Sequence, residues 1–266
     1  MKYTVGKGAF VLIVSGIVCK VFGALFRLPL TNIISLQGIG VFQMVMSLYS
    51  LSLGLVSSGV TNALSKLVSG ARARGEFNKI GGYFRHGLIF SGIISLLLGM
   101  IFLFLSHPIA LLQGAREADI SYMLLSILLP LGALIGCFRG VLQGYENMTP
   151  TAISQIIEQL FKFAFGLFFA YLFSNSLGGG VFGAFLDITI SEIFAFIYLL
   201  FAIKRKRIAF NRHIEKKEFL KAVTPLTLSA VVLPLVFAVE SLIIVSLLSL
   251  AGIENQVATT LYGLSS

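Results

Sequence analysis

Along the chain, long apolar runs alternate with short polar interruptions. The runs fall at about 8–32, 39–69, 84–106, 120–144, 150–174, 180–203 and 222–250. Each meets or exceeds the roughly 20 residues an α-helix needs to cross the hydrocarbon core of a bilayer, so the pattern predicts seven transmembrane helices. Residues that turn or interrupt helices stand between them: Gly38 and Gly40, Gly81 and Gly82, Pro108, Pro150, and Gly178 to Gly180. Lys2 and Lys7 ahead of an apolar run imitate a signal peptide. No small-x-small cleavage site follows, however, and Lys20 and Arg27 break up what comes next, so Gly8 to Asn32 is read as a retained first span.

The polar positions inside the runs carry more information than the apolar ones. In the fifth run, Thr151, Ser154, Gln155, Glu158, Gln159 and Lys162 recur at spacings of three and four, which is one stripe along a helix. Counting a rise of about 1.5 Å per residue from Pro150, Glu158 and Lys162 lie about 12 and 18 Å into a core about 30 Å thick. Counted likewise from Gly8, Lys20 lies about 18 Å deep and Arg27 about 28 Å, two turns apart on one face. The sixth run adds Asp187 and Glu192, and the seventh Glu240. Intramembrane charges cost about 2.5–3.5 kcal/mol on insertion scales and therefore face a protein interior or a watery cavity. Two readings of the fifth-run stripe follow. It is one wall of a polar cavity, or Glu158 and Lys162, in the favourable i,i+4 order, form a self-neutralising salt bridge. Asp187 and Glu192 are read as coupling-ion sites or as partners of the buried lysines.

Composition agrees with a membrane protein. The chain has 266 residues, 57% of them hydrophobic and only 12% charged, with 24 Phe and a mean hydropathy of +0.95. Too much of it is apolar for a water-soluble core. The net charge of +9 does not point to nucleic acid, because the basic residues gather between the apolar runs. On an N-inside topology, sixteen of the 20 Lys and Arg are cytoplasmic, Arg139 among them, as the positive-inside rule requires. The block KRKRIAFNRHIEKKEFLK, Lys204 to Lys221, reads as a cytoplasmic segment that fixes topology and touches anionic headgroups. It divides the chain into a six-helix lobe (1–203), an inter-lobe segment (204–221) and an incomplete second lobe (222–266). After Glu254 in a short outer loop, the chain stops at LYGLSS as though an eighth helix were beginning, which predicts a truncated chain or one half of a larger transporter.

Cys19 and Cys137 lie inside apolar runs, and His86, His107 and His213 are scattered, so neither a disulfide framework nor a metal site is expected, and no cofactor. The rows Gly54, Ser57, Ser58 and Gly59, and Gly132, Gly136 and Gly140, predict close helix packing. Pro29, Pro130, Pro225 and Pro234 permit kinks.

Three stretches carry a resemblance: KVFGALFRLPLTNIISLQGIGVFQMVMSLYSLSLGLVSSGVTNALSKLVS at Lys20 to Ser69, FRGVLQGYENMTPTAISQIIEQLFKF at Phe138 to Phe163, and LTLSAVVLPLVFAVESLIIVSLL at Leu226 to Leu248. Together they resemble the stage V sporulation protein B group of polysaccharide biosynthesis proteins. That group belongs to the multidrug/oligosaccharidyl-lipid/polysaccharide (MOP) exporter superfamily, with lipid II flippases and MATE drug exporters as relatives. The resemblance implies an all-α, polytopic membrane bundle of two six-helix lobes working by alternating access. It further implies that first-helix cations, here Lys20 and Arg27, engage a lipid-linked diphosphate. The second-helix arginine of the flippases has no match, Gln43 being the only strongly polar residue early in span two.

The expected function is a flippase for a polyprenyl-diphosphate-linked oligosaccharide or peptidoglycan precursor in cell-envelope or spore-cortex synthesis, located in the plasma membrane. Lys20, Arg27 and Lys162 would meet the diphosphate, and Ser154, Gln155 and Gln159 the sugar hydroxyls, with Glu158 in the same wall. Its partners would be the lipid-linked glycan, membrane lipids, a coupling sodium ion or proton and other envelope-synthesis proteins, with no nucleic acid. The alternative is a sodium- or proton-coupled drug or cation exporter using Asp187, Glu192 or Glu158, which calls for a net acidic cavity. A membrane glycosyltransferase lacks both a loop long enough for a catalytic domain and a cluster with catalytic spacing. A non-transporting scaffold is a further alternative.

Overall fold

A computed structural model describes residues 2–205, 216–250 and 255–265, and all the regular structure there is helical. The elements are α1 (Lys2–Leu53), a π-helical turn (Gly54–Ser58), α2 (Gly59–Ala73), α3 (Phe77–Leu112), a short 3-10 turn (Arg116–Ala118), α4 (Asp119–Gly144), α5 (Thr149–Leu172), α6 (Leu177–Lys204), α7 (Lys216–Leu250) and α8 (Asn255–Ser265). Within the predicted inter-lobe segment, positions 206–215 lie outside the described residues, as does Glu254 of the predicted outer loop.

Six stretches are long and apolar enough to cross a membrane, and the first, Phe10–Ala73, has 64 residues. At about 1.5 Å per residue it would be about three times the thickness of a hydrocarbon core if straight. It is not straight. Ser35 has φ 65° and ψ 170°, a positive φ that a non-glycine residue rarely adopts, and its Oγ accepts from Gly38 N at 3.4 Å.

Packing on either side of Ser35 shows what this bend does. Before it, Ser15 meets Gln155 and Phe22 meets Phe163, so this part of α1 runs parallel to α5. After it, Phe42 meets Phe185 and Tyr49 meets Glu192, so this part runs parallel to α6. α5 and α6 are antiparallel, pairing Phe173 with Phe182 and Phe161 with Phe194. The chain therefore reverses at Ser35, and the described helices run as seven passes: two within the first stretch, then α3, α4, α5, α6 and α7.

The small-residue rows pack as their spacing predicts. α4 brings Gly136, Gly140 and Gly144 against the π-turn and α2. A methyl group at Gly136 would collide with Ser57, one at Gly140 would lie 2.7 Å from the Thr61 carbonyl oxygen, and one at Gly144 2.5 Å from Val68 Cβ. Thr61 Oγ1 donates to Gly136 O at 2.8 Å across this contact. On its other side the same segment meets α7, where Gly59 faces Thr227 and Gly54 faces Val231. Without side chains at these positions the backbones approach closely, which replaces the hydrophobic driving force that a bilayer does not supply. Large apolar side chains such as Leu28, Phe104, Phe168 and Phe201 are left exposed, as a lipid-facing surface requires.

Candidate functional site

The stripe on α5 is positioned by a tight turn. α4 ends at Gly144, Glu146 takes a positive φ of 58°, and α5 starts at Thr149 with Pro150 in its first turn. The resulting hairpin brings Arg139 of α4 beside Ser154, each five residues from the turn and so at matching depth, about 8 Å along its helix. Arg139 Nε donates to Ser154 Oγ at 2.9 Å, and its Nη2 reaches one turn further to Glu158 Oε1 at 2.7 Å. Both side chains of this ion pair are less than one-fifth exposed.

Glu158 is therefore neutralised by Arg139, not by Lys162. This corrects two expectations. The i,i+4 salt bridge is not the pair that forms, and Arg139, counted among the cytoplasmic cations, lies inside α4 with its side chain turned into the bundle. An arginine's reach explains both, because its long stem carries the guanidinium a full turn from its own Cα.

Lys162 turns to α1, its Nζ 5.3 Å from the centre of the Phe26 ring, a cation–π contact. It makes no salt bridge within 4 Å among the described residues. Asp187 is fully buried on α6, and among the described residues neither carboxyl oxygen has a hydrogen-bond partner. Its Oδ2 occupies a notch left by Gly166, where a methyl group would lie 2.8 Å away. Glu192, one and a half turns on, accepts from the Tyr49 hydroxyl while Oε2 is unpartnered. Gln155 accepts from Ser15 at 3.2 Å. Gln159 is half-buried on the same stripe. The interior thus gathers Arg139 and Lys162 with Glu158, Asp187 and Glu192, one carboxyl group more than cations.

Lys20 and Arg27 do not join this cluster. Both are exposed on α1, displaced by more than a quarter turn from the face that carries Ser15, Phe22 and Phe26 onto α5. Lys20 makes no hydrogen bond or ion pair among the described residues, and Arg27 donates to Gly263 O of α8 at 3.2 Å. The predicted cavity residues thus fall into two groups, five inside the lobe and two on the side turned toward α8.

A second polar feature was missed from sequence. A cavity of ≈ 310 Å³ lies between α1, α7 and α8, lined by Gln43, Met46, Ser47, Ser50, Phe237, Glu240 and Tyr262. At its side Ser47 and Ser241 share a hydrogen bond of 2.8 Å, Gln113 donates to Ser241 at 2.9 Å, and Tyr122 donates to Gln113. Spacing gave one usable signal for it: Gln43, Ser47 and Ser50 recur at four and three residues, as the α5 stripe does.

Comparison with known proteins agrees with this architecture. The family model described as polysaccharide biosynthesis protein matches residues 5–260. Stage V sporulation protein B of Bacillus subtilis (strain 168) is 28% identical over 275 residues, covering 98% of this chain and 53% of its own length. The lipid II flippase MurJ of the same organism is 26% identical over 188 residues, 66% of this chain and 34% of its own. This chain thus spans about half the length of the first of these relatives, or less for the second. An inward-facing multidrug resistance MATE family transporter of the MOP superfamily superposes with a TM-score of 0.63 at 18% identity, over 87% of this chain and 56% of that one. A MATE transporter in the straight conformation gives 0.59 at 14% identity, over 98% and 64%. These solved structures establish the fold.

Proposed function

The chain belongs to the polysaccharide biosynthesis protein family, and from that premise we propose that it forms part of a flippase for a polyprenyl-diphosphate-linked glycan or peptidoglycan precursor. The observation that carries this reading is the pair of cations on α1. Lys20 and Arg27 lie on a membrane-crossing helix, turned away from every carboxylate of the lobe interior, with no acidic partner among the described residues. Two unneutralised cations at membrane depth suit a multiply charged anion, and a diphosphate accepts from both ammonium and guanidinium groups. The ≈ 310 Å³ cavity beside α8 supplies the amide, hydroxyl and carboxylate groups that hydrogen-bond sugar hydroxyls. The relatives named for sporulation and for lipid II flipping fit that substrate class. In this reading residues 1–203 form the first lobe, the N-terminus is cytoplasmic, the chain is not an enzyme, and the lobes alternate access to the two leaflets.

The test is depletion and rescue with the full-length protein, following lipid-linked precursor on the cytoplasmic leaflet. The wild type clears the accumulated precursor. The Lys20→Ala/Arg27→Ala variant, expressed and folded, leaves it there. Full clearance by the variant ends the cationic-face reading.

A cation- or proton-coupled exporter is the second reading, favoured by the buried, unpartnered Asp187. Asp187→Asn separates the two. It abolishes transport if this carboxyl couples the cycle, and leaves flipping intact if Asp187 only balances Lys162.

A further inference from the structure

We infer that the chain has a separate phosphate-binding pocket at the membrane surface, suited to the headgroup of an anionic phospholipid. A cavity of ≈ 250 Å³ opens where α5 begins and α6 ends, lined by Asn147, Pro150, Tyr198, Phe201, Ala202 and Arg205. Its depth follows from the fold: Thr149–Leu172 and Leu177–Lys204 are both membrane-crossing stretches, and the cavity sits at the ends they share. That is the boundary between hydrocarbon and water.

The chemistry of the lining selects an anion. Among the described residues no carboxylate lines the cavity, and Arg205 makes no ion pair. Three other cations at this end of the bundle are engaged: Arg72 donates to Gly144 O at 3.3 Å and stands 5.3 Å from the Tyr145 ring, and Arg74 and Lys79 both pair with Glu76. The first turn of α5 also has unmet capacity. It has no side-chain cap, and its Pro150 lines the cavity. Asn147 and Tyr198 add an amide and a phenol donor. Arg205 supplies the fork that matches phosphate oxygens.

A phospholipid source is favoured by the apolar side of the same pocket. Phe201 is 62% exposed, with Lys204 Nζ 5.9 Å from its ring, and it lies on the lipid side of Arg205. A headgroup held by Arg205 would lay its acyl chains along Phe201. A soluble phosphate would use the same donors without touching that ring.

Native mass spectrometry of the full-length protein in neutral detergent tests this, with phosphatidylglycerol and phosphatidylcholine added in parallel. The wild type is expected to retain phosphatidylglycerol in preference, and Arg205→Ala to weaken that retention about tenfold, the size of one charge-assisted contact. Arg205→Lys keeps the charge and should lose less. If excess inorganic phosphate displaces the lipid, the pocket reads the phosphate group alone. If it does not, headgroup and chains bind together. Equal retention of the two lipids by the wild type overturns the inference, as does unchanged phosphatidylglycerol retention in a folded Arg205→Ala.

Discussion

Arg139 and Lys20 are both cations on membrane-crossing helices, and their surroundings differ in every respect. Arg139 is buried between α4 and α5 and spends its donors on Ser154 and Glu158. Lys20 is exposed on α1 and meets no acceptor among the described residues. The lobe interior adds Tyr49 on Glu192 and Phe26 under Lys162, whereas on the α8-facing side Arg27 donates to a backbone carbonyl. A charge already satisfied inside the protein holds helices together. A charge left unsatisfied on a membrane-crossing helix is available for a ligand, and its desolvation cost is the reason it calls for one.

The comparison breaks most decisively at Arg139. Arg139→Ala strands Glu158 in the bundle and should cost about 3–5 kcal/mol, as removal of one partner of a buried pair does. Denaturant unfolding in detergent reads this directly, and Arg139→Met combined with Glu158→Leu should recover most of the loss. A single variant as stable as wild type would mean that the ion pair is solvated.

Tyr49→Phe comes next. It removes the hydroxyl that donates to Glu192 Oε1 and leaves the carboxyl without a partner among the described residues, for a loss of about 1–3 kcal/mol. Unfolding curves for Tyr49→Phe, Glu192→Gln and the double variant form a cycle. Strictly additive losses would show that the two groups do not interact.

On the α8-facing side the expected effect moves from stability to transport. Lys20→Ala/Arg27→Ala should change stability by no more than about 0.5 kcal/mol while lowering flipping by about tenfold or more, the worth of one or two charge-assisted contacts. A large loss of stability with transport unharmed would reverse the assignment of the two regions.

The smallest effect belongs to Glu76, exposed between α2 and α3. Hydrogen bonds from Lys79 and then Arg74 hold its carboxyl below the usual carboxylate range. A depressed folded-state value stabilises above the unfolded value, and that gain is lost as pH falls through the folded one. The wild type should therefore show a slight thermal advantage over Glu76→Gln near neutral pH, which fades in acid and in high salt. An advantage that grows on acidification would contradict the sign.

Much of this was legible in the chain. Apolar runs place the passes because a bilayer accepts only helices whose backbone groups are satisfied internally. The second run, 39–69, becomes one continuous rod from the end of α1 through the π-turn to α2, since Gly54 and Gly59 do not stop a helix in that setting. Gly136 and Gly140 meet α2 as their spacing predicts. Arg139 was misread because counting charges near helix ends assigns each to the nearer aqueous side, while the side chain itself spans a full turn. Its depth match with Ser154 across the short turn was the available signal. The cavity at Gln43 and Glu240 was illegible for another reason: its walls come from α1, α7 and α8, and no local spacing reports which faces of distant helices meet.

By itself the sequence determined the all-helical membrane class, the number of passes, the stripe on α5 and the family, because each rests on hydropathy, helical period or local pattern. Only the tertiary structure decided which charges cancel. The reversal at Ser35 and the α4–α5 turn set the faces that meet, and a salt bridge depends on a few ångströms between side chains that sequence separation does not encode. That geometry gave Glu158 to Arg139 and Lys162 to Phe26, and left Lys20 and Arg27 facing outward.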